Sequence, residues 1–255
     1  MGLMTETDPT RMSEPANPIE NEAPAAEEGR REPIFNMPGI VIAIIVACVA
    51  IQLIGDYLLD PSQYVEFLER AAFIPLRYWA VYAGEIPLDV YAFTSPLTYA
   101  FLHGGYTHLI INMVWLAVFG SPLANRLGAL RFSLFFAVTA LAAVALHYVL
   151  HPLDNAPLVG ASGAISGMMG AAARFNFRID RAHGQPAFAG AVLPIGEVLR
   201  SRMAMTFLGV WMVINLVTGF VGFAPGVENQ IAWEAHIGGF LAGFFGVRLF
   251  DRRPA

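Results

Sequence analysis

Six stretches of about twenty mostly apolar residues decide what this chain can fold into: about 38–58, 97–120, 129–150, 157–175, 203–223 and 231–250. A helix needs about 20 residues to cross a membrane, because each adds about 1.5 Å against a hydrocarbon core of about 30 Å. All six are long enough, the fourth narrowly. Of the 255 residues, 56% are apolar and 14% charged, whereas a soluble domain has roughly 25% charged. The chain cannot clothe a water-facing surface. That excludes a disordered protein, a nucleic-acid binder and an ordinary cytosolic enzyme, and predicts an all-α polytopic membrane protein with six transmembrane helices. The lone Cys48 lies inside the first apolar run, which excludes a disulfide framework and a cysteine-ligated metal cluster.

Charge divides the chain in two. Residues 1–33 hold eight acids and three arginines, which accounts for the whole formal charge of −5. Rich in Glu, Pro and Ala and without apolar periodicity, they are expected to form a disordered acidic tail ahead of a membrane domain spanning 34–255. The acids argue against a mitochondrial transit peptide, and no apolar stretch is placed for a cleavable signal peptide. There is no lysine, and thirteen of the fifteen arginines fall on one alternating set of connections. The other set has only Arg70 and Arg77, both between the first and second apolar segments. The positive-inside bias then puts both termini in the cytoplasm. The connection from about 59 to 96 is too long for a simple turn and too apolar for a water-exposed one. Its aromatics suit a membrane boundary, and Tyr64, Phe67, Leu68 and Ala71 recur at helical spacing. This predicts either a short helix in the outer interface or a loop packed on the bundle.

Hydrogen-bonding groups inside membrane helices are costly and mark functional sites. Segment two contains His103, His108 and Asn112; segment four opens Gly160-Ala161-Ser162-Gly163; segment six contains Glu234-Ala235-His236. With alternating directions, all three segments enter from the outer side, so His108, Ser162 and His236 reach similar depths. A serine hydroxyl is a weak nucleophile unless a base accepts its proton, and histidine is the usual base. Gly163-x-x-x-Gly167 and Gly239-x-x-x-Gly243 let two membrane helices approach backbone to backbone. The second pair lies on His236's own face. Close approach would bring that imidazole within reach of the Ser162 hydroxyl. His108 and Asn112, four apart on one face, are candidate oxyanion donors together with the Ser162 backbone N–H. Glu234 faces away from His236, so a Ser–His dyad is predicted. Taken singly, each residue has a plainer role in packing or at the interface; the conjunction of depth, face and spacing carries the reading. Ser166, one turn deeper, is the alternative nucleophile, but no glycine stands two residues before it. His147 and His151 are four apart at the outer end of segment three, a spacing that can bind metal. No third ligand is evident, so they are read as interfacial histidines, with no metal and no cofactor expected.

His108-x-x-x-Asn112, Gly160-Ala161-Ser162-Gly163 and Ala235-His236-x-x-Gly239-x-x-x-Gly243, in that order on helices two, four and six, resemble the rhomboid family of intramembrane serine proteases. The resemblance covers roughly residues 38–250. It implies a rhomboid-like six-helix bundle with Ser162 as nucleophile, His236 as general base, and His108 and Asn112 as oxyanion donors. It also implies a bacterial inner-membrane location, with the site facing the periplasmic or extracellular side. The partners it implies are the lipid bilayer and transmembrane protein substrates, cleaved in or near their helices. His103 matches another position where the family often has histidine. Two departures stand out. Many bacterial members carry Trp-Arg where this chain reads Thr94-Ser95-Pro96, which bears on docking of the first loop. Ser166 stands where members often have an aromatic, and is expected to hydrogen-bond His236 instead. The outer end of segment five (Leu216, Phe220, Phe223) and the loop Ala224–Gln230 are candidate gate and cap. The alternative class is a non-catalytic rhomboid-like protein that binds membrane clients; such relatives usually lack the serine or the histidine.

Overall fold

A computed structural model of the chain describes residues 37–181, 186–221 and 232–252, together with the first two residues; the Phe220 and Val221 side chains lie outside that description. The chain divides into two units, Met1–Pro33 and Ile34–Ala255. All the described helices belong to the second unit. Apart from its first two residues, the predicted acidic tail lies outside the described residues.

Helices dominate. In chain order they are α1 (Gly39–Tyr57), α2 (Pro61–Ala71), α3 (Pro75–Tyr82), α4 (Tyr91–Thr98), α5 (Tyr106–Trp115), α6 (Ser121–Leu127), α7 (Ala129–Leu150), α8 (Ser162–Arg174), α9 (Ile195–Arg200), α10 (Arg202–Val221) and α11 (Trp233–Phe250). Among the described residues, four stretches are long and apolar enough to cross a membrane: Gly39–Tyr57, Tyr106–Leu127, Ala129–Leu150 and Arg202–Gly219. The chain is therefore a polytopic helical membrane protein. The second apolar segment starts later than expected. Residues 91–101 form α4 and a short 3₁₀ turn, and the span itself runs from Tyr106 through a π-helical stretch at Leu116–Gly120 to Leu127. His103 consequently sits in the connection before that span.

α8 is the centre of the fold. Its 13 residues rise only about 20 Å, and every one from Gly163 to Arg174 is buried. Its run of Gly, Ala and Ser lets α7 and α11 close on it. A Cβ built at Gly239 would collide with the Gly163 carbonyl, and one at Gly243 with that of Gly167. Both predicted glycine pairs thus form the α8–α11 contact. α1, by contrast, buries a single stripe: Val41, Ile44, Cys48, Gln52 and Gly55.

Arg126 and Arg174, expected as loop charges, are buried. Arg126 makes a two-pronged pair with Asp251 (Nε–Oδ1 3.0 Å, Nη2–Oδ2 2.7 Å) and donates from Nη1 to the Phe188 carbonyl at 3.0 Å. Phe188 belongs to a two-stranded antiparallel ribbon, β1 (Ile179–Asp180) with β2 (Ala187–Phe188), in the register Ile179↔Phe188. Arg174 donates to the Phe244 carbonyl at 2.7 Å and the Leu193 carbonyl at 2.9 Å. These bonds tie that end of the bundle together.

At the other end, the connection 59–96 is built from α2, α3 and α4. Helix α2 covers the predicted 64–71 periodicity and starts with a capping box between Asp60 and Gln63. The departure at Thr94-Ser95-Pro96 does not leave this region loose. Ser95 is buried and accepts from Arg77 Nη1 at 3.0 Å. Arg77 also donates to the Glu69 carbonyl. The Tyr78 hydroxyl donates to the Ala92 carbonyl at 2.8 Å; burial pushes its pKa up, which keeps it protonated and a donor. Arg77 therefore staples α2 and α4 through α3. Arg77→Ala is expected to cost about 1–2 kcal/mol, in the range for hydrogen bonds from a charged, partly exposed donor. Amide exchange should rise across α2–α4 and stay unchanged in α7 and α8.

Candidate active site

Ser162 is fixed by what precedes it. Leu158 pairs with Phe73 (N–O 2.8 and 3.2 Å), and Gly160 N–H donates to the Tyr99 carbonyl at 3.0 Å. The Tyr99 ring is fully buried, its hydroxyl bonded to the Ala140 carbonyl at 2.9 Å. Gly160 has φ +121°, a conformation that costs a side chain dearly. A Cβ there would also lie 2.8–2.9 Å from the His108 ring. This turn delivers Ser162 to the first position of α8. Its backbone N–H, like others in a helix's first turn, has no intrahelical acceptor and faces the positive end of the helix dipole.

His236 lies one turn into α11, and its Nε2 is 2.8 Å from Ser162 Oγ. Its other nitrogen, Nδ1, is 2.5 Å from Asn215 Oδ1 on α10. The Asn215 amide is itself oriented, since its Nδ2 donates to the Trp211 carbonyl at 2.7 Å. Oδ1 can only accept, so Nδ1 carries the imidazole proton. Nε2 is then left with a lone pair for the serine hydroxyl. Two expectations change here. Ser166 does not hydrogen-bond His236, because both ring nitrogens are engaged by Ser162 and Asn215. Beyond the predicted Ser–His pair, the imidazole's second partner is an amide from α10 and not an acid. Asn215 was legible as a hydrogen-bonding residue in an otherwise apolar span, the same signal that marked Asn112. Glu234 turns away from His236, as expected, toward His151 (Nε2–Oε1 2.9 Å). Together with His147 it forms a three-residue cluster that spacing along the chain does not reveal.

His108 Nδ1 accepts from the Gly104 N–H at 3.3 Å, which leaves Nε2 as the N–H donor on the Gly160 side. Asn112 is buried; one of its amide protons goes to the His108 carbonyl at 2.9 Å, and the other remains to donate. His103 is buried with its ring 5.2 Å from His108, edge to face. Ser162, His236, His108, Asn112 and Asn215 all line one cavity of about 460 Å³.

A family model described as the Rhomboid domain matches residues 91–252, which hold this entire constellation. The chain belongs to the rhomboid family. Among its rhomboid relatives, RHOMBOID-like protein 5 of Arabidopsis thaliana is 30% identical over 145 residues, covering 56% of this chain and 40% of the relative. Rhomboid-related protein 2 of Mus musculus is 25% identical over 197 residues, covering 70% of this chain and 60% of the relative. RHOMBOID-like protein 1 of Arabidopsis thaliana is 25% identical over 236 residues, or 85% and 54%. The chain thus spans roughly half the length of these rhomboid relatives.

Of the candidate gate and cap, only Leu216 has a described side chain. α10 turns Phe207, Val210, Trp211, Ile214, Asn215 and Thr218 to the cavity, and Leu216 is not on that face. Phe223 and the loop Ala224–Gln230 lie outside the described residues, as does the side chain of Phe220.

Proposed function

We propose that this rhomboid-family protein is an intramembrane serine protease that cleaves peptide bonds in or beside transmembrane helices of other membrane proteins. The observation that supports this most is the 2.8 Å approach of His236 Nε2 to Ser162 Oγ, with Nδ1 capped by Asn215. His236 takes the serine proton as Oγ attacks the scissile carbonyl carbon. The oxyanion forms beside the Ser162 backbone N–H, the His108 Nε2–H and the Asn112 amide; one such donor is worth about 3 kcal/mol. Protonated His236 hands its proton to the leaving amine, and the acyl group stays on Oγ. Water, deprotonated by the same imidazole, then attacks the ester, releases the carboxylate and restores Ser162.

In this reading six helices cross the membrane, α8 and α11 included, and both termini lie in the cytoplasm. The site opens toward the outer, periplasmic side of a bacterial inner membrane. Hydrolysis consumes water, so the serine belongs near the aqueous surface. A substrate helix hides its carbonyls in i→i−4 bonds and must unwind locally to present one. The cavity wall shared by α5 (Ile111, Trp115) and α10 (Phe207, Trp211) is the entry for such a segment. Hydrolysis of a reconstituted single-span substrate in proteoliposomes tests the reading; an inert wild-type protein, unlabelled by serine-directed probes, would instead support client binding.

Asn215 acts as a positioning residue. Asn215→Leu is expected to lower kcat about tenfold with KM unchanged, since one hydrogen bond of about 1–1.5 kcal/mol is lost. Rates normalised by active-site titration separate this from a loss of folded protein, and Asn215→Asp should recover part of the activity.

A further inference from the structure

At the end of the bundle where α7 stops and α11 starts, two elements bring together three metal-ligating side chains that the proposed chemistry does not use. They are His147, His151 and Glu234, each with one ligand atom within 4.8 Å of the others. The Glu234 carboxylate divides itself between the rings: Oε1 is 2.9 Å from His151 Nε2, and Oε2 is 3.9 Å from His147 Nδ1. The imidazole centroids are 5.2 Å apart. His147 is only 6% exposed, and its Nδ1, aimed at the carboxylate, has no hydrogen-bond partner among the described residues. Leaving a buried polar atom unpaired costs about 1–3 kcal/mol, so this nitrogen calls for a ligand.

We infer that His147 Nδ1, His151 Nε2 and the Glu234 carboxylate form a binding site for a divalent transition metal, with zinc the best match. The reasons are chemical. Two imidazoles and one carboxylate are a recurrent zinc donor set, with a fourth position left to water. Imidazole nitrogens select zinc and its neighbours over magnesium or calcium. Bonds of about 2.0–2.1 Å in tetrahedral array put ligand atoms about 3.4 Å apart. The 2.9 Å contact would open and the 3.9 Å contact close by about half an ångström each, and the two imidazole nitrogens, within 4.8 Å of each other, would close by up to about 1.4 Å, within reach of side-chain rotation. A ligating histidine commonly gives its second N–H to a carboxylate, and His147 Nε2 faces Asp154 Oδ2 at 4.0 Å. Asp154 is held in the turn by its Oδ1, which accepts from Ala156 N–H at 2.9 Å. The His151 side chain is 44% exposed, which gives the ion a route from water. A metal here would join the end of α7 to the first turn of α11, two residues ahead of His236. It would bind whether or not the chain is a protease.

The test uses full-length, tag-free protein purified in detergent, stripped with a chelator and titrated with Co²⁺ as a spectroscopic probe. Zn²⁺ is then measured in competition with a chromophoric chelator. About one Co²⁺ per chain should bind with the visible absorption of four- or five-coordinate cobalt, and Zn²⁺ should displace it and raise the unfolding temperature. His151→Ala and the near-isosteric Glu234→Gln should each weaken Zn²⁺ binding at least about tenfold, and Asp154→Asn about tenfold, as for outer-shell partners. His151 is partly exposed and Glu234→Gln keeps the side-chain volume, so both variants should fold, and unaltered circular dichroism will show it. No cobalt spectrum in the wild type, or Zn²⁺ binding of equal strength in both ligand variants, would overturn the site.

Discussion

Ser162→Ala is expected to abolish hydrolysis of a reconstituted transmembrane substrate, with a loss on the order of 10⁶-fold, as when a serine protease loses its nucleophile. The change removes one oxygen from the first position of α8, where Ser162 supplies no cap to the helix. The unfolding temperature should therefore hold while activity falls to the assay floor. His236→Ala should behave alike, because residues acting as one unit show non-additive losses. Combining the two should cost little more than either alone. Retained turnover in Ser162→Ala would transfer the chemistry to another residue, and Ser166, buried one turn deeper against the same cavity, would be the first to test.

Gly239→Val should have the largest effect on the fold itself. The Gly239 Cα rests against the Gly163 carbonyl, with no room for even a methyl group. Overpacking a tight contact costs about 1–3 kcal/mol and occasionally more. Here the obstacle is backbone, which cannot swing aside as a side chain would, so about 3 kcal/mol is expected. The helices would have to separate, and separating them pulls His236 away from Ser162. The variant should show a lowered unfolding temperature together with lost activity, whereas Gly246→Ala, where an added Cβ meets open space, should match the wild type in both.

The same glycines explain how much of the molecule could be read from its sequence. Gly163, Gly167, Gly239 and Gly243 sit at a spacing whose only economical use is close helix contact, so the α8–α11 seam was legible. So was the meeting of Ser162 with His236 that the seam enforces. His108 and Asn112 were legible as a polar pair on one apolar face. What escaped depended on contacts between segments far apart in sequence. Nothing local in segment five tells that Asn215 faces His236, 21 residues away, or that its amide is oriented by Trp211. Arg77 and Ser95 form a bond across 18 residues, so the missing Trp-Arg pair looked like a loose loop. That Glu234 turns from His236 follows from their two-residue separation on a helix. Its destination at His151, 83 residues away, could come only from the packing of α7 on α11. Buried arginines misled in another way: Arg126 and Arg174 read as loop charges because an apolar pattern cannot reveal that a carboxylate or carbonyl waits for them.

Whether Ser162 is the activated nucleophile and His236 its base is tested most directly by mass spectrometry of the protein treated with a fluorophosphonate probe. A single covalent adduct is expected, on the peptide containing Ser162 and at its hydroxyl, absent from Ser162→Ala and from His236→Ala. An adduct at Ser166, or one on Ser162 that forms equally fast without His236, would contradict these roles.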